Sequence, residues 1–199
     1  ASYEWDNLRR KVSETISGRT TSYEYEGTFA QPRRIILPGG IVIENEYDEA
    51  GNKVRTVVAK GTKAESETKA LYDDRGLVSA EFDARQNLKT FEYDAMGRPT
   101  SITDANGNTT RISYDLAGRK TSVINARGFE TSYEYDVDRP ETEAAVVDAL
   151  DYVTRKQFDS SGRLAAIIDP KGNTYRFEYD KVGRKVSMEY PDGSREQWA

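Results

Sequence analysis

The chain contains no cysteine and no histidine. Without cysteine it has neither disulfides nor thiolate nucleophiles. Without histidine, Ser-His-Asp and Cys-His catalytic arrangements and ordinary zinc sites are excluded. Aliphatic residues are scarce as well: Leu, Ile, Val and Phe number 37 of 199, a shortage that signals disorder when a large net charge accompanies it. Here the formal charge is only −5, from 29 basic and 34 acidic residues. The 13 tyrosines suit a half-buried pleated surface and partly replace the missing aliphatics. Thin sheets around a modest core are therefore expected. No dense basic stripe is present, which argues against a nucleic-acid partner. No apolar run approaches the ~20 residues that span a bilayer, and no signal-peptide pattern opens the sequence.

What the chain does have is a repeat. Tyr-Asp-x-x-Gly-Arg occurs intact at Tyr93-Asp94…Gly97-Arg98, Tyr114-Asp115…Gly118-Arg119 and Tyr179-Asp180…Gly183-Arg184, and with Phe for Tyr at Phe158-Asp159…Gly162-Arg163. Looser copies begin at Tyr47-Asp48 (with Gly51), Tyr72-Asp73 (with Gly76) and Tyr135-Asp136; degenerate ones lie at Trp5-Asp6 and Tyr25-Glu26. Steps of 20, 22, 25, 21, 21, 21, 23 and 21 residues separate these aromatic positions. A period of this kind marks one supersecondary unit repeated in space.

Each unit reads as two strands and two turns. Phe91-Glu92-Tyr93, Tyr133-Glu134-Tyr135 and Phe177-Glu178-Tyr179 alternate apolar and charged residues, the period of a strand with one buried face. Asp-x-x-Gly then suits a type I turn closed by a left-handed glycine, the three-residue hairpin loop with a glycine bulge. A small residue follows four positions after the glycine, at Ala80, Ser101, Ser122, Ala166 and Ser187. We expect that gap to let a neighbouring tyrosine ring lie close to the backbone. A second turn carries Gly seven positions before the next aromatic, at Gly18, Gly40, Gly107, Gly128 and Gly172; Gln86 and Asp151 hold the place in two units. Two units depart from the pattern. Residues 60–67 are about four longer than their counterparts, so an extended exposed loop is expected. At Tyr135 the turn Asp136-Val137-Asp138-Arg139-Pro140 lacks glycine and reads one residue short, with a bulge or longer hairpin near Glu143-Ala144-Ala145.

Tyr-Asp-x-x-Gly-Arg followed by Asp-Pro-x-Gly-Asn, as in Phe158 through Asn173 to Tyr179, resembles the Rhs/YD-repeat family. The likeness covers nearly the whole chain and is strongest over residues 72–198, with 1–71 more degenerate. The resemblance implies a long sheet that spirals into a hollow shell, as in bacterial Rhs and wall-associated polymorphic toxins, the encapsulating components of Tc toxins, and teneurins. In the toxins such a shell encloses a C-terminal toxic domain. The expected fold is thus all-β: about nine antiparallel hairpin units in a single array over 1–199, forming a curved, spiralling, open piece of a shell. At ~4.8 Å per strand, roughly eighteen strands extend about 85 Å, too little to enclose a folded domain. A fragment of a larger protein is expected.

The residues that could carry chemistry fall on repeat positions. Asp104-Ala105-Asn106-Gly107-Asn108 has the alternating oxygens of a calcium loop, but its Gly is out of phase with an EF-hand and the same site elsewhere holds Pro-Lys-Gly or Ala-Arg-Gly. It reads as a turn. No glycine leads into a helical pattern, so no phosphate-binding loop is present. The tyrosines could stack on sugars, or pack within the sheet as their shared face suggests. The arginines after the turn glycines are read as cross-strand partners for Glu or Asp. The resulting expectation is a structural shell segment of an Rhs-type toxin, without catalysis, cofactor or metal. Its partners would be neighbouring repeats and an enclosed toxin domain, and its location secreted or cell-surface. The alternative is an adhesion or glycan-binding module.

Overall fold

The computed structural model describes residues 1–139 and 142–198; Pro140, read above into the irregular turn, lies outside them. All regular structure in these residues is strand. The chain divides into two compact units, Ala1–Asn108 and Thr109–Ala199, each a meander whose consecutive strands pair antiparallel.

The first unit holds β1 (Ser2–Trp5), β2 (Lys11–Ile16), β3 (Arg19–Glu24), β4 (Arg34–Ile36), β5 (Val42–Tyr47), β6 (Lys53–Val58), β7 (Ser66–Tyr72), β8 (Val78–Phe82), β9 (Leu88–Tyr93) and β10 (Pro99–Thr103). The second holds β11 (Thr109–Tyr114), β12 (Lys120–Ile124), β13 (Glu130–Tyr135), β14 (Glu143–Val147), β15 (Val153–Phe158), β16 (Leu164–Ile168), β17 (Thr174–Tyr179), β18 (Lys185–Glu189) and β19 (Arg195–Gln197). A Tyr-Asp hairpin and a second turn alternate along each meander, and the regular copies of both close from the first N–H to the carbonyl four residues on.

The register has one recurrent irregularity. Glu178 pairs with Ser187 while the next residue, Tyr179, pairs with Lys185. The same shift precedes Tyr47, Tyr72, Tyr93, Tyr114, Tyr135 and Phe158. Two residues oppose one at each such place, which is a β-bulge. Directly paired residues share a face, so the bulge decides which side chains meet. It places the small residues opposite Glu92, Ser113, Gln157 and Glu178. They therefore lie on the face away from the tyrosines, not beneath the rings as the sequence suggested.

Apart from the half-buried Ser101, these small residues nonetheless form the core. Ala80, Ala145, Ala166, Ser122 and Ser187 are buried, joined by Val57 and Asn45. Ala145 lies between Glu134 and Arg155, and Ala166 between Gln157 and Arg176. Long polar side chains cover a short one, and their stems exclude water from it. A chain poor in aliphatics thereby obtains a thin line of burial within each unit.

Three connections differ from expectation. The long loop is Ala59–Glu65, because Ser66 and Glu67 already belong to β7. The turn holding Gly18 is a two-residue hairpin: Ile16 pairs with Arg19, and Ser17 and Gly18 take φ of 51° and 75°, as a type I′ turn requires. The turn after Tyr135 is longer, not shorter. Asp136 N–H donates to the Thr142 carbonyl, six residues on, where regular turns close after four. Glu143-Ala144-Ala145 is strand, so the extra length sits within the turn.

Candidate functional site

The repeated feature with the densest polar chemistry is the Tyr-Asp turn and its contacts to the next hairpin. At Asp94 the backbone N–H donates to the Arg98 carbonyl at 3.0 Å, and Gly97 N–H donates to the Asp94 carbonyl at 3.1 Å. The Asp94 carboxylate then takes three more donors. Oδ1 accepts from the backbone of Met96 (2.9 Å) and Arg98 (3.0 Å), and Oδ2 from Arg98 Nε at 2.6 Å. Asp159 and Asp180 repeat all three contacts with Ser161 and Arg163, and with Val182 and Arg184. Asp115 holds Arg119 through its backbone and Nε. Each arginine is thus paired within its own hairpin. The backbone donors, followed by the arginine, hold the Asp94, Asp115, Asp159 and Asp180 carboxyls below the usual aspartate range.

The looser copies keep the carboxylate and vary its partners. Asn52 replaces Arg at Asp48, donating from its backbone (2.8 Å) and side chain (3.0 Å). At Asp73 the +4 position is Leu77, and Arg75 reaches back instead, with Nη2 at 2.8 Å. Gly51, Gly76, Gly97, Gly118, Gly162 and Gly183 all take φ between 77° and 88°. The second turns use the same device with asparagine as the clasp. Asn87, Asn108 and Asn173 donate side-chain N–H to Asp83, Asp104 and Asp169. Asp104 therefore directs its oxygens at its own turn, and among the described residues no cluster of three acidic side chains could hold a metal.

Each hairpin then grips the next. Tyr93 Oη donates to the Val78 carbonyl at 2.8 Å, Tyr135 to Lys120 at 2.7 Å and Tyr179 to Leu164 at 3.0 Å, each fifteen residues back. Tyr47 reaches Pro32 at the same separation. Tyr72 reaches Lys53 across nineteen residues, a span that absorbs the inserted loop. At Lys53, Val78, Lys120 and Leu164 the acceptor is the carbonyl where the preceding post-turn strand starts, whereas Pro32 lies two residues ahead of β4. From the other side, the arginine of one turn covers the ring of the next. Arg119 lies 4.6 Å from the Tyr135 centroid and Arg163 4.9 Å from Tyr179, within cation–π range. Arg163 Nη1 also donates to the Asp180 carbonyl at 3.2 Å, and Arg75 Nη1 to Asp94 at 2.7 Å. Tyr114 ends β11 opposite Lys120.

Three members of this ladder escape the motif. Arg10 bonds the Asp6 carboxylate through Nε at 2.7 Å and lies 4.5 Å from the Tyr25 ring. Arg75 acts from inside its turn. Arg139 lies 5.3 Å from the Phe158 ring and donates to the Asp159 carbonyl. Spacing is the legible signal for Arg10, which precedes Tyr25 by fifteen residues as Arg119 precedes Tyr135 and Arg163 precedes Tyr179 by sixteen; Arg75 and Arg139, eighteen and nineteen residues ahead of Tyr93 and Phe158, depart from it.

A meander of Asp-clasped hairpins, joined through aromatic residues that an arginine covers at several joints, defines an all-β repeat array. The family model for the RHS Repeat matches residues 72–109, 97–130 and 158–195, and these stretches belong to the Rhs/YD-repeat family. No curated protein matches it. Among solved structures, it is similar to a TcdB2-TccC3 crystal structure, at 16% identity and TM-score 0.54. The same values hold for TcdB2-TccC3 without its hypervariable C-terminal region. The Photorhabdus luminescens Tc holotoxin pore gives 15% identity and TM-score 0.55. Each alignment covers 94% of this chain but only 12% of the other. At these identities what is shared is the fold.

Proposed function

We propose that the chain is a structural segment of an Rhs-type toxin shell, one array over 1–199 that helps enclose a C-terminal toxic domain. The observation that carries this reading is the direction of the signature residues' contacts. The Asp carboxylates and the Arg and Tyr side chains described above bond to their own turn or to the next hairpin, so the motif is committed to joining units. The shared fold with the TcdB2-TccC3 structures is the second support. In this reading the segment has no reaction, cofactor or metal of its own. Its partners are the flanking repeats and the enclosed domain, and its place is outside the cell that makes it.

The glycan-binding alternative needs open ring faces. Arginines lie over Tyr25, Tyr135 and Tyr179, and these hydroxyls bond carbonyls, which favours the shell. Electron microscopy of the parent protein tests the proposal. A closed wall around internal density is expected, and an extended rod without a cavity contradicts it. Binding on a glycan array that disappears with Tyr→Ala changes at exposed rings supports the alternative instead.

A further inference from the structure

The sequence contains two Asx-Gly pairs, Asn106-Gly107 and Asp192-Gly193. In such a pair the glycine nitrogen can attack the side-chain carbonyl carbon, because no Cβ on the following residue obstructs its approach. From asparagine, the new N–C bond expels the side-chain amide as ammonia and leaves a succinimide. Water then opens that ring to aspartate or isoaspartate.

The two pairs are held differently. Asp192 is a carboxylate whose Oδ1 accepts from the Ser194 backbone (2.9 Å) and hydroxyl (2.6 Å). Those bonds keep it ionised, and an ionised carboxylate is a poor electrophile. Asn106 is a neutral amide on an exposed turn. Its backbone N–H donates to Asp104 Oδ1 at 2.9 Å, and among the described residues its side chain has no hydrogen-bond partner. The neighbouring Asn108 is fixed by contrast, its amide donating to Asp104 Oδ2 at 2.9 Å. Asn52, Asn87 and Asn173 are clasped in the same way.

The turn also restrains the attack. Asn106 occupies the third position of the Asp104–Gly107 turn, where ψ is near 0° in type I geometry. The Gly107 N–H, whose nitrogen must reach the Asn106 carbonyl carbon, is held on the Asp104 carbonyl at 3.0 Å. We propose that Asn106 is a site of spontaneous deamidation whose rate is set by the opening of this turn. The isoaspartate product adds a methylene to the main chain between the two hydrogen bonds that close the turn after β10. It also places a negative charge beside Asp104.

The test is peptide mapping by mass spectrometry during incubation of the purified chain at mildly alkaline pH. Three samples are followed: native protein, native protein in urea below its unfolding transition, and the Asp104→Ala variant. Asn106 is expected to convert before any other asparagine. It should convert at least roughly tenfold faster in Asp104→Ala, which removes the three hydrogen bonds that the carboxylate accepts within the turn. Sub-denaturing urea should accelerate it even if that variant does not fold. Conversion of another asparagine first overturns the proposal. So does an Asn106 rate that neither the variant nor urea changes.

Discussion

The turn Asp115–Arg119 in the second unit and the turn Asp6–Arg10 in the first make the same bonds from different sequences. In each, the first backbone N–H donates to the last carbonyl at 2.9 Å, and the fourth residue donates back to the Asp carbonyl at 3.0 Å. In each, the carboxylate clasps the arginine through its backbone and Nε. They differ at the left-handed position: Gly118 has φ 88°, whereas Arg9 holds φ 60° without being glycine. The shared element is the carboxylate with its arginine. Glycine lowers the strain of the turn, and the clasp defines it.

Acid attacks what the two turns share, and the largest effect is expected there. The carboxyls of Asp6, Asp94, Asp115, Asp159 and Asp180 lie below the ordinary value because the folded state bonds their charged form, the backbone donor of the clasped arginine foremost. Glu67, bonded by Arg55 and Lys69, is pushed down to about 2. A group with a lowered folded pKa contributes stability that is present above its unfolded value and lost as pH falls through the folded one. Stability should therefore hold at neutral pH, decline below about 4.5, the ordinary value for Glu, and keep falling toward 2. Urea midpoints measured across that range check it; a flat profile contradicts the clasp.

Gly118→Val attacks what only one turn has. A β-branched residue at φ 88° is strained although a Cβ there meets no atom within 4 Å. A loss of about 1–3 kcal/mol is expected in chemical denaturation. Leu116, fully exposed at the same turn, should tolerate Ser within about 0.5 kcal/mol. Equal effects would place the left-handed residue elsewhere. Arg9→Gly makes the reverse change and should gain about 0.5–1 kcal/mol by relieving φ 60°. The smallest effect is expected where the ladder lacks a rung. Phe158 has no hydroxyl to reach the Glu143 carbonyl fifteen residues back, so Phe158→Tyr should add about 0.5 kcal/mol, read as a small rise in melting temperature.

The strands and the Asp-x-x-Gly turns were legible because alternation and left-handed glycines are local signals. The face of the small residues was not. A bulge before each aromatic inserts one residue, and one residue moves every later side chain to the opposite face. Arg10 and Arg139 were missed because their roles depend on rings fifteen and nineteen residues ahead, in units whose turns had lost glycine. The turn after Tyr135 was read as short because its missing glycine hid where it closes. Asp136 closes it at Thr142. The extra members of the ladder are tertiary neighbours, and only spacing to the next unit reveals them.

The motif joins one hairpin to the next, and the contact between Arg163 and Tyr179 is where that joining can be measured. A double-mutant cycle with Arg163→Ala and Tyr179→Leu, read by urea denaturation, should show a coupling of about 0.5–1 kcal/mol. Additivity within about 0.3 kcal/mol would mean that the arginine serves its own turn alone and that the joint lies elsewhere.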